Sequence, residues 1–325
     1  MAKKRSCFNT KEHNRVRAKI LALGIILVVI NYFLEIPEET QMIIFGITII
    51  LTGIPHGSLD FYLAKQNQTW YNQAFSNKRF YFNYLLNMIL FGVAWYISPF
   101  LSVLFFLFIS AFHFGEIDFV NKGQAQVPWY ISSMYGLTII IYIIACHTEE
   151  SIKILHYLLP KIEISSNTIP LGQSFSEWIL IISLISFFVI NIVSLLTKSI
   201  NNLIFKLINQ TFCILLIIKF LPFYLAFAFY FGIWHSLLSF EAILQSLHLE
   251  NTTEDWLKLM KKALPFSLLS FIGLAILIYI GYNGRNTPQI VSLLFIGISI
   301  LTLPHFQVFS KALNKNRSTE TNVAS

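Results

Sequence analysis

The 325-residue chain holds eight histidines: His13, His56, His113, His147, His156, His235, His248 and His305. His13, His147, His156 and His248 fall outside the long apolar stretches or at their outer edge, and read as solvated histidines without a special role. The other four stand within or at the ends of apolar runs. Their settings are Gly53-Ile-Pro-His56-Gly-Ser-Leu-Asp60, Phe112-His113-Phe-Gly-Glu116-Ile-Asp118, Gly232-Ile-Trp-His235-Ser236 and Leu303-Pro-His305. An ionisable side chain inside a membrane span is costly and marks a functional position by default. Imidazole suits zinc, copper, iron and nickel, so these four are candidate metal ligands. Each taken singly is equally a polar residue that bonds a neighbouring helix.

The flanking residues add to the metal reading. Asp60 follows His56 by four residues, which puts both on one face if the helix continues. Glu116 and Asp118 follow His113 closely. A metal-bound imidazole usually gives its second N–H to a carboxylate or carbonyl, so Asp60, Glu116 and Asp118 are candidate supports. Pro55 and Pro304 precede two of the histidines and free a helical carbonyl nearby. No HExxH motif is present, which argues against a zincin protease. Zinc held by four histidines would be closed and structural. Four neutral imidazoles around ferrous iron leave positions for oxygen, which fits oxidation of a lipophilic substrate. Spacing alone does not choose between the two metals. Aromatic residues crowd the His235 segment, where Tyr224 and Phe231 share its helical face and Trp234 precedes it. Phe106 lies on the face of His113. These four aromatics read as ordinary packing or as the wall of a tunnel for a long polyene.

Positioning such residues requires a membrane bundle. The chain is 55% hydrophobic and only 12% charged, against about 25% charged in a soluble domain. That composition excludes a soluble globular enzyme, a disordered chain and a disulfide-rich secreted domain. A spanning helix takes about 20 apolar residues. Apolar stretches lie at 20–34, 41–56, 80–97, 100–115, 129–146, 176–196, 203–219, 221–240, 265–283 and 289–310. The expected fold is therefore all-α, a transmembrane bundle of about ten spans. Eight is the alternative, if weak breaks at Ser98-Pro99 or Lys219–Pro222 are kinks within longer helices. The first stretch lacks a small-x-small cleavage site and reads as an uncleaved span. Three segments follow: a basic cytoplasmic tail at 1–19, one catalytic bundle at 20–310, and a polar cytoplasmic tail at 311–325.

Charge orients the bundle. With both termini in the cytoplasm, 19 of the 23 Lys and Arg residues fall inside, the bias that the positive-inside rule expects. The four intramembrane histidines then all sit near the cytoplasmic ends of their spans. The net charge of +7 is accounted for in this way, and no nucleic-acid motif is present. Cys7, Cys146 and Cys213 are scattered and suggest neither disulfides nor a thiolate site.

Four stretches, PHGSLD at 55–60, FHFGEID at 112–118, WHS at 234–236 and PH at 304–305, resemble the Brp/Blh family of membrane carotene oxygenases. Their order and spacing run from about 52 to 310. The resemblance implies cleavage of the central double bond of β-carotene by O2 to two molecules of all-trans-retinal. It implies Fe(2+) as cofactor, with His56, His113 and His235 at family ligand positions. In that family the WHS-type histidine is often followed four residues later by another. Ser239 holds that place here, which leaves His305 as the candidate fourth ligand. It also implies a multi-pass protein of a prokaryotic cytoplasmic membrane, with retinal passing to a microbial rhodopsin. Two other classes compete. Another membrane non-haem metalloenzyme acting on a lipid would show HxxxH or HxxHH boxes, which are missing. A multi-span transporter would spread polar groups through the membrane rather than gather them at one end. Haem held by paired histidines would give a Soret band.

Overall fold

A bilayer offers no water to backbone N–H and C=O groups, so long apolar stretches close their hydrogen bonds within helices. The computed structural model describes residues 10–70, 74–119, 128–159, 172–197, 202–281 and 287–324, and the described residues are helical with short turns. The helices are α1 (Thr10–Leu34), α2 (Glu38–Thr48), α3 (Ile54–Gly57), α4 (Asp60–Trp70), α5 (Asn77–Ile97), α6 (Pro99–Phe119) and α7 (Trp129–Cys146). They continue with α8 (Thr148–Leu158), α9 (Gly172–Thr197), α10 (Asn202–Phe220), α11 (Phe223–Phe227), α12 (Ser236–Ser246), α13 (Thr253–Gly281) and α14 (Thr287–Ala324). Two π-helical segments join them: Ile49–Gly53 between α2 and α3, and Ala228–His235 between α11 and α12.

Among the described residues, nine helical stretches are long and apolar enough to cross a membrane. This is a polytopic, all-helical membrane protein. The expected stretch at 203–219 forms α10, which packs against α9, α1 and α7 but is not among the nine. Both doubtful breaks are real. Ser98 leaves the helical region (φ −143°, ψ 84°) before Pro99 opens α6. Pro222, extended at ψ 161°, separates α10 from α11. Proline supplies no N–H to continue the preceding helix, so each pair is two helices rather than one kinked one. Helix α1 begins at Thr10, within the stretch read as a tail, and its Arg17 is buried. Helix α14 likewise runs on through the expected polar tail to Ala324. Cys7 and His13 lie outside the residues whose side chains are described.

Large apolar side chains are exposed in rows at helical spacing: Ile26, Ile30 and Phe33 on α1, Ile182, Ile185 and Val189 on α9, and Leu269, Ile272 and Ile276 on α13. Such rows would drive aggregation in water and suit acyl chains. The centre of the bundle is the stretch Phe223–Ser246, 83% buried where the other spans reach 50% at most. Close packing on one side of it depends on small residues. A Cβ at Gly115 would overlap the carbonyl oxygen of Ser132, and one at Gly136 would overlap that of Ala111. The pairs Ala111/Gly115 and Ser132/Gly136 let α6 and α7 touch backbone to backbone, the usual means of helix association in lipid. At the far end of α7, His147 is half-buried against Phe223 (ring centroids 5.8 Å) rather than solvated as its position suggested. Burial pushes its imidazole below the ordinary value, with Glu150 opposing.

Candidate metal centre

His56 and His235 both adjoin π-helical segments, a feature frequent at functional sites. The span Glu38–Gln68 cannot run as one regular helix, because Pro55 has no N–H for residue 51. The π segment absorbs the misfit. His56 then sits in α3 with Nδ1 3.2 Å from the Thr52 carbonyl oxygen. That bond requires Nδ1 to carry the hydrogen, so Nε2 keeps its lone pair. Facing it, the second π segment ends at His235. Thr52 Oγ1 donates to the Gly232 carbonyl, and a Cβ at Gly232 would lie 2.7 Å from Thr48 Cβ. The glycine therefore lets the second π segment lie close against the Thr48 side chain at the end of α2.

His113 comes from the buried face of α6, and His305 from α14 one residue after Pro304. Helix α14 is anchored on both sides of His305: Trp95 Nε1 donates to Ser299 Oγ at 2.7 Å, and Asn87 Nδ2 donates to Gln307 Oε1 at 3.1 Å. The four imidazoles form a closed ring. Successive centroids are 5.3 Å (His56–His235), 4.8 Å (His235–His113), 4.9 Å (His113–His305) and 5.0 Å (His305–His56). All four residues are buried.

Buried ring nitrogens without hydrogen bonds are costly and require an explanation. His113 has two such nitrogens, His235 has Nδ1 and His305 has Nε2. In His56, His113 and His235 one nitrogen each lies within 4.8 Å of the others. Three donors at about 2.0–2.1 Å from one metal ion lie roughly 3.4 Å from one another in tetrahedral geometry, so the set has to draw in by about an ångström to bind. The donor chemistry fits a first-row transition metal. The orphaned nitrogens supply the reason for it. The cluster can hold a metal ion.

The three expected carboxylates have separate partners. The helix does not continue from His56 to Asp60. It breaks at Ser58–Leu59, where Ser58 Oγ returns to the Ile54 carbonyl, and Asp60 starts α4. Asp60 Oδ1 consequently lies 2.8 Å from His305 Nδ1, not against His56. Glu116 Oε1 accepts from Ser310 Oγ at 3.2 Å. Asp118 Oδ1 accepts from Gln210 Nε2 at 3.0 Å and Trp234 Nε1 at 3.1 Å, and pairs with Arg17 at 3.4 Å. Arg17 also donates to Gln210 Oε1 at 2.6 Å and to the Asp118 carbonyl at 3.1 Å. Its guanidinium lies 5.7 Å from the Trp234 ring. One buried network thus ties α1, α6 and α10 to the residue beside His235.

Of the four aromatics named from the sequence, Phe231 packs on Phe114 at 4.9 Å, and Phe114 lies 4.4 Å from His235. Trp234 turns its indole N–H to Asp118, Tyr224 packs on Phe45, and Phe106 is half-buried in the core. The rings that touch the histidines are largely different ones. They are Phe114, Phe309 (5.3 Å from both His113 and His305), Phe240 (6.2 Å from His56) and Phe306 (6.3 Å from His113). Phe309 follows His305 by four residues and was legible from helical spacing. Arg17 was counted among the orienting charges, and nothing local singled it out. An apolar groove of about 560 Å³ opens between α5 and α6, lined by Phe91, Ala94, Leu101, Ser102, Phe105 and Leu303. Leu303 is two residues from His305.

The family model of β-carotene 15,15′-dioxygenase matches residues 47–312. The chain belongs to the β-carotene 15,15′-dioxygenase family. A relative described as β-carotene 15,15′-dioxygenase, from an uncultured marine bacterium 66A03, is 25% identical over 268 residues, covering 79% of this chain and 88% of that protein. No solved structure matches. The family region contains all four clustered histidines, whereas α1 with Arg17 precedes it. Membership in the dioxygenase family and the buried histidine cluster together make this a metal-dependent oxygenase of the membrane.

Proposed function

We propose that the protein cleaves the central double bond of β-carotene with O2, releasing two molecules of all-trans-retinal. The observation that carries this reading is the buried ring of four imidazoles with unpartnered nitrogens, walled by Phe114, Phe240 and Phe309. His56, His113, His235 and His305 would hold Fe(2+). Bound ferrous iron would supply the one-electron chemistry by which dioxygen reacts with a closed-shell alkene. The residues do the rest. Phenylalanine walls exclude water and hold an apolar polyene without offering it hydrogen bonds. Lateral entry from the bilayer would be at the apolar groove between α5 and α6, whose lining includes Leu303 of the His305 helix. Orientation is the main contribution: the middle of a symmetric chain must meet the histidine cluster, and a fixed near-attack geometry is worth several orders of magnitude in rate.

The reaction balances without a proton. One C=C and one O=O bond break, two C=O bonds form, and each aldehyde takes one oxygen atom. No general acid or base is required. This agrees with three buried carboxylates that are engaged by His305, Ser310 and Arg17. Asp60, Glu116 and Asp118 are therefore read as supports. Retinal leaving along the same apolar path would be available to a microbial rhodopsin in the same membrane.

Expression in a bacterium that accumulates β-carotene tests the proposal. Loss of colour with recovery of two retinals per carotene consumed is expected. Purified, iron-loaded protein that never yields retinal from β-carotene would refute it.

A further inference from the structure

Asp60 has two carboxylate oxygens and serves a different helix with each. Oδ1 takes the hydrogen of His305 Nδ1 at 2.8 Å, and Oδ2 accepts from the hydroxyl of Tyr84 at 2.9 Å. Tyr84 belongs to α5, Asp60 to α4 and His305 to α14. The carboxylate is buried, and so is His305, whose Nε2 faces the cluster without a hydrogen-bond partner. Tyr84 is itself held by ring packing on Phe80 at 5.5 Å. A carboxylate bonded at one oxygen only can turn about its last side-chain bond. Bonded at both, it presents a fixed acceptor to the imidazole.

We propose that Tyr84 is a positioning residue of the metal centre: its hydroxyl fixes the Asp60 carboxylate, which in turn fixes the tautomer and tilt of His305. The inference rests on His305 as the fourth ligand in the reading above. It assigns a role to a residue that carries no sequence signature and touches neither metal nor substrate. Outer partners of metal-bound histidines generally change affinity by about 10–100-fold when removed. A residue one bond further out belongs at the lower end of that range.

The test uses cobalt(II) as a spectroscopic probe on the purified full-length protein, without carotenoid. Tyr84→Phe removes one oxygen and keeps the ring. It is expected to weaken cobalt binding about 10-fold and to alter the ligand-field absorption, while the metal-free protein melts as the wild type does. In an Asp60→Asn background, Tyr84→Phe is expected to add nothing, because its path runs through that carboxylate. Unchanged cobalt affinity and spectrum in Tyr84→Phe would overturn the inference. So would an effect that persists in full in the Asp60→Asn background, or a Tyr84→Phe protein whose only defect is loss of apo stability or of folding. Wild-type protein that binds neither cobalt nor iron would overturn both this inference and the metal reading. Cobalt results as expected but no retinal from β-carotene would sink the carotenoid assignment alone.

Discussion

Substituting Arg17 probes the buried network behind the metal centre. Arg17 is 5% exposed and Asp118 is 1% exposed, so neither charge recovers hydration when its partner is removed. Arg17→Met keeps much of the side-chain volume and removes the charge. Breaking a buried ion pair from one side costs about 3–5 kcal/mol, because the remaining charge is left uncompensated. Gln210 and Trp234 still donate to Asp118 Oδ1 at 3.0 and 3.1 Å. These neutral donors soften the loss by about 1 kcal/mol each. Against that, Gln210 Oε1 and the carbonyls of Ile117 and Asp118 each lose a donor, at about 1 kcal/mol each. The losses exceed the retained bonds by about 1 kcal/mol, so the expected cost lies toward the upper part of about 3–5 kcal/mol. Asp118→Asn alone takes the paired carboxylate from the guanidinium, which keeps its bond to Gln210 Oε1, and is expected to cost about 3 kcal/mol. The double variant Arg17→Met/Asp118→Asn removes both charges and is expected to recover about 2 kcal/mol or more relative to the sum of the singles. Equilibrium unfolding in mixed micelles, followed by tryptophan fluorescence, measures all four proteins. Additive single costs would refute the argument, as would an Arg17→Met protein within about 1 kcal/mol of wild type, the behaviour of an exposed pair.

Other outcomes follow from the same geometry. His56→Ala, His113→Ala and His235→Ala are each expected to abolish stoichiometric metal binding, measured by elemental analysis of purified protein, since their nitrogens form the tightest group. His305→Ala is expected to leave weaker binding and no retinal formation, read by titration and product chromatography. Chelator treatment is expected to lower the melting temperature and remove activity, with both restored by Fe(2+) under reducing conditions. Gly115→Ala pushes a Cβ into the Ser132 backbone, which has no room to yield, and is expected to cost about 1–3 kcal/mol. Gly46→Ala meets nothing within 4 Å and serves as the control, being neutral or stabilising by up to about 1 kcal/mol.

Much of the site was written in local patterns. His56, His113, His235 and His305 stood out because an ionisable group inside an apolar run is unusual wherever the helices go. The breaks at Pro99 and Pro222 were visible for an equally local reason, the missing N–H. The support residues were harder. Asp60 was expected beside His56 through continuous helix, yet the turn at Ser58–Leu59 swings it to His305, 245 positions away. Helical face points to Tyr224 and Phe231 as neighbours of His235. Phe231 lies behind Phe114, the ring that meets His235, a contact between helices that no face of one helix encodes.

Composition and periodicity alone determined that this is an α-helical membrane protein with histidines grouped at the ends of its apolar runs, because solvation in lipid acts on each segment separately. Which imidazoles face one another, which carboxylate serves which ring, and why Arg17 lies buried were decided only when the helices packed. Those contacts join residues as much as 245 positions apart. They depend on a few short side chains, Gly115, Gly136 and Gly232, that allow backbones to approach. No local pattern encodes a distance across the bundle, and there the chemistry of the site was assembled.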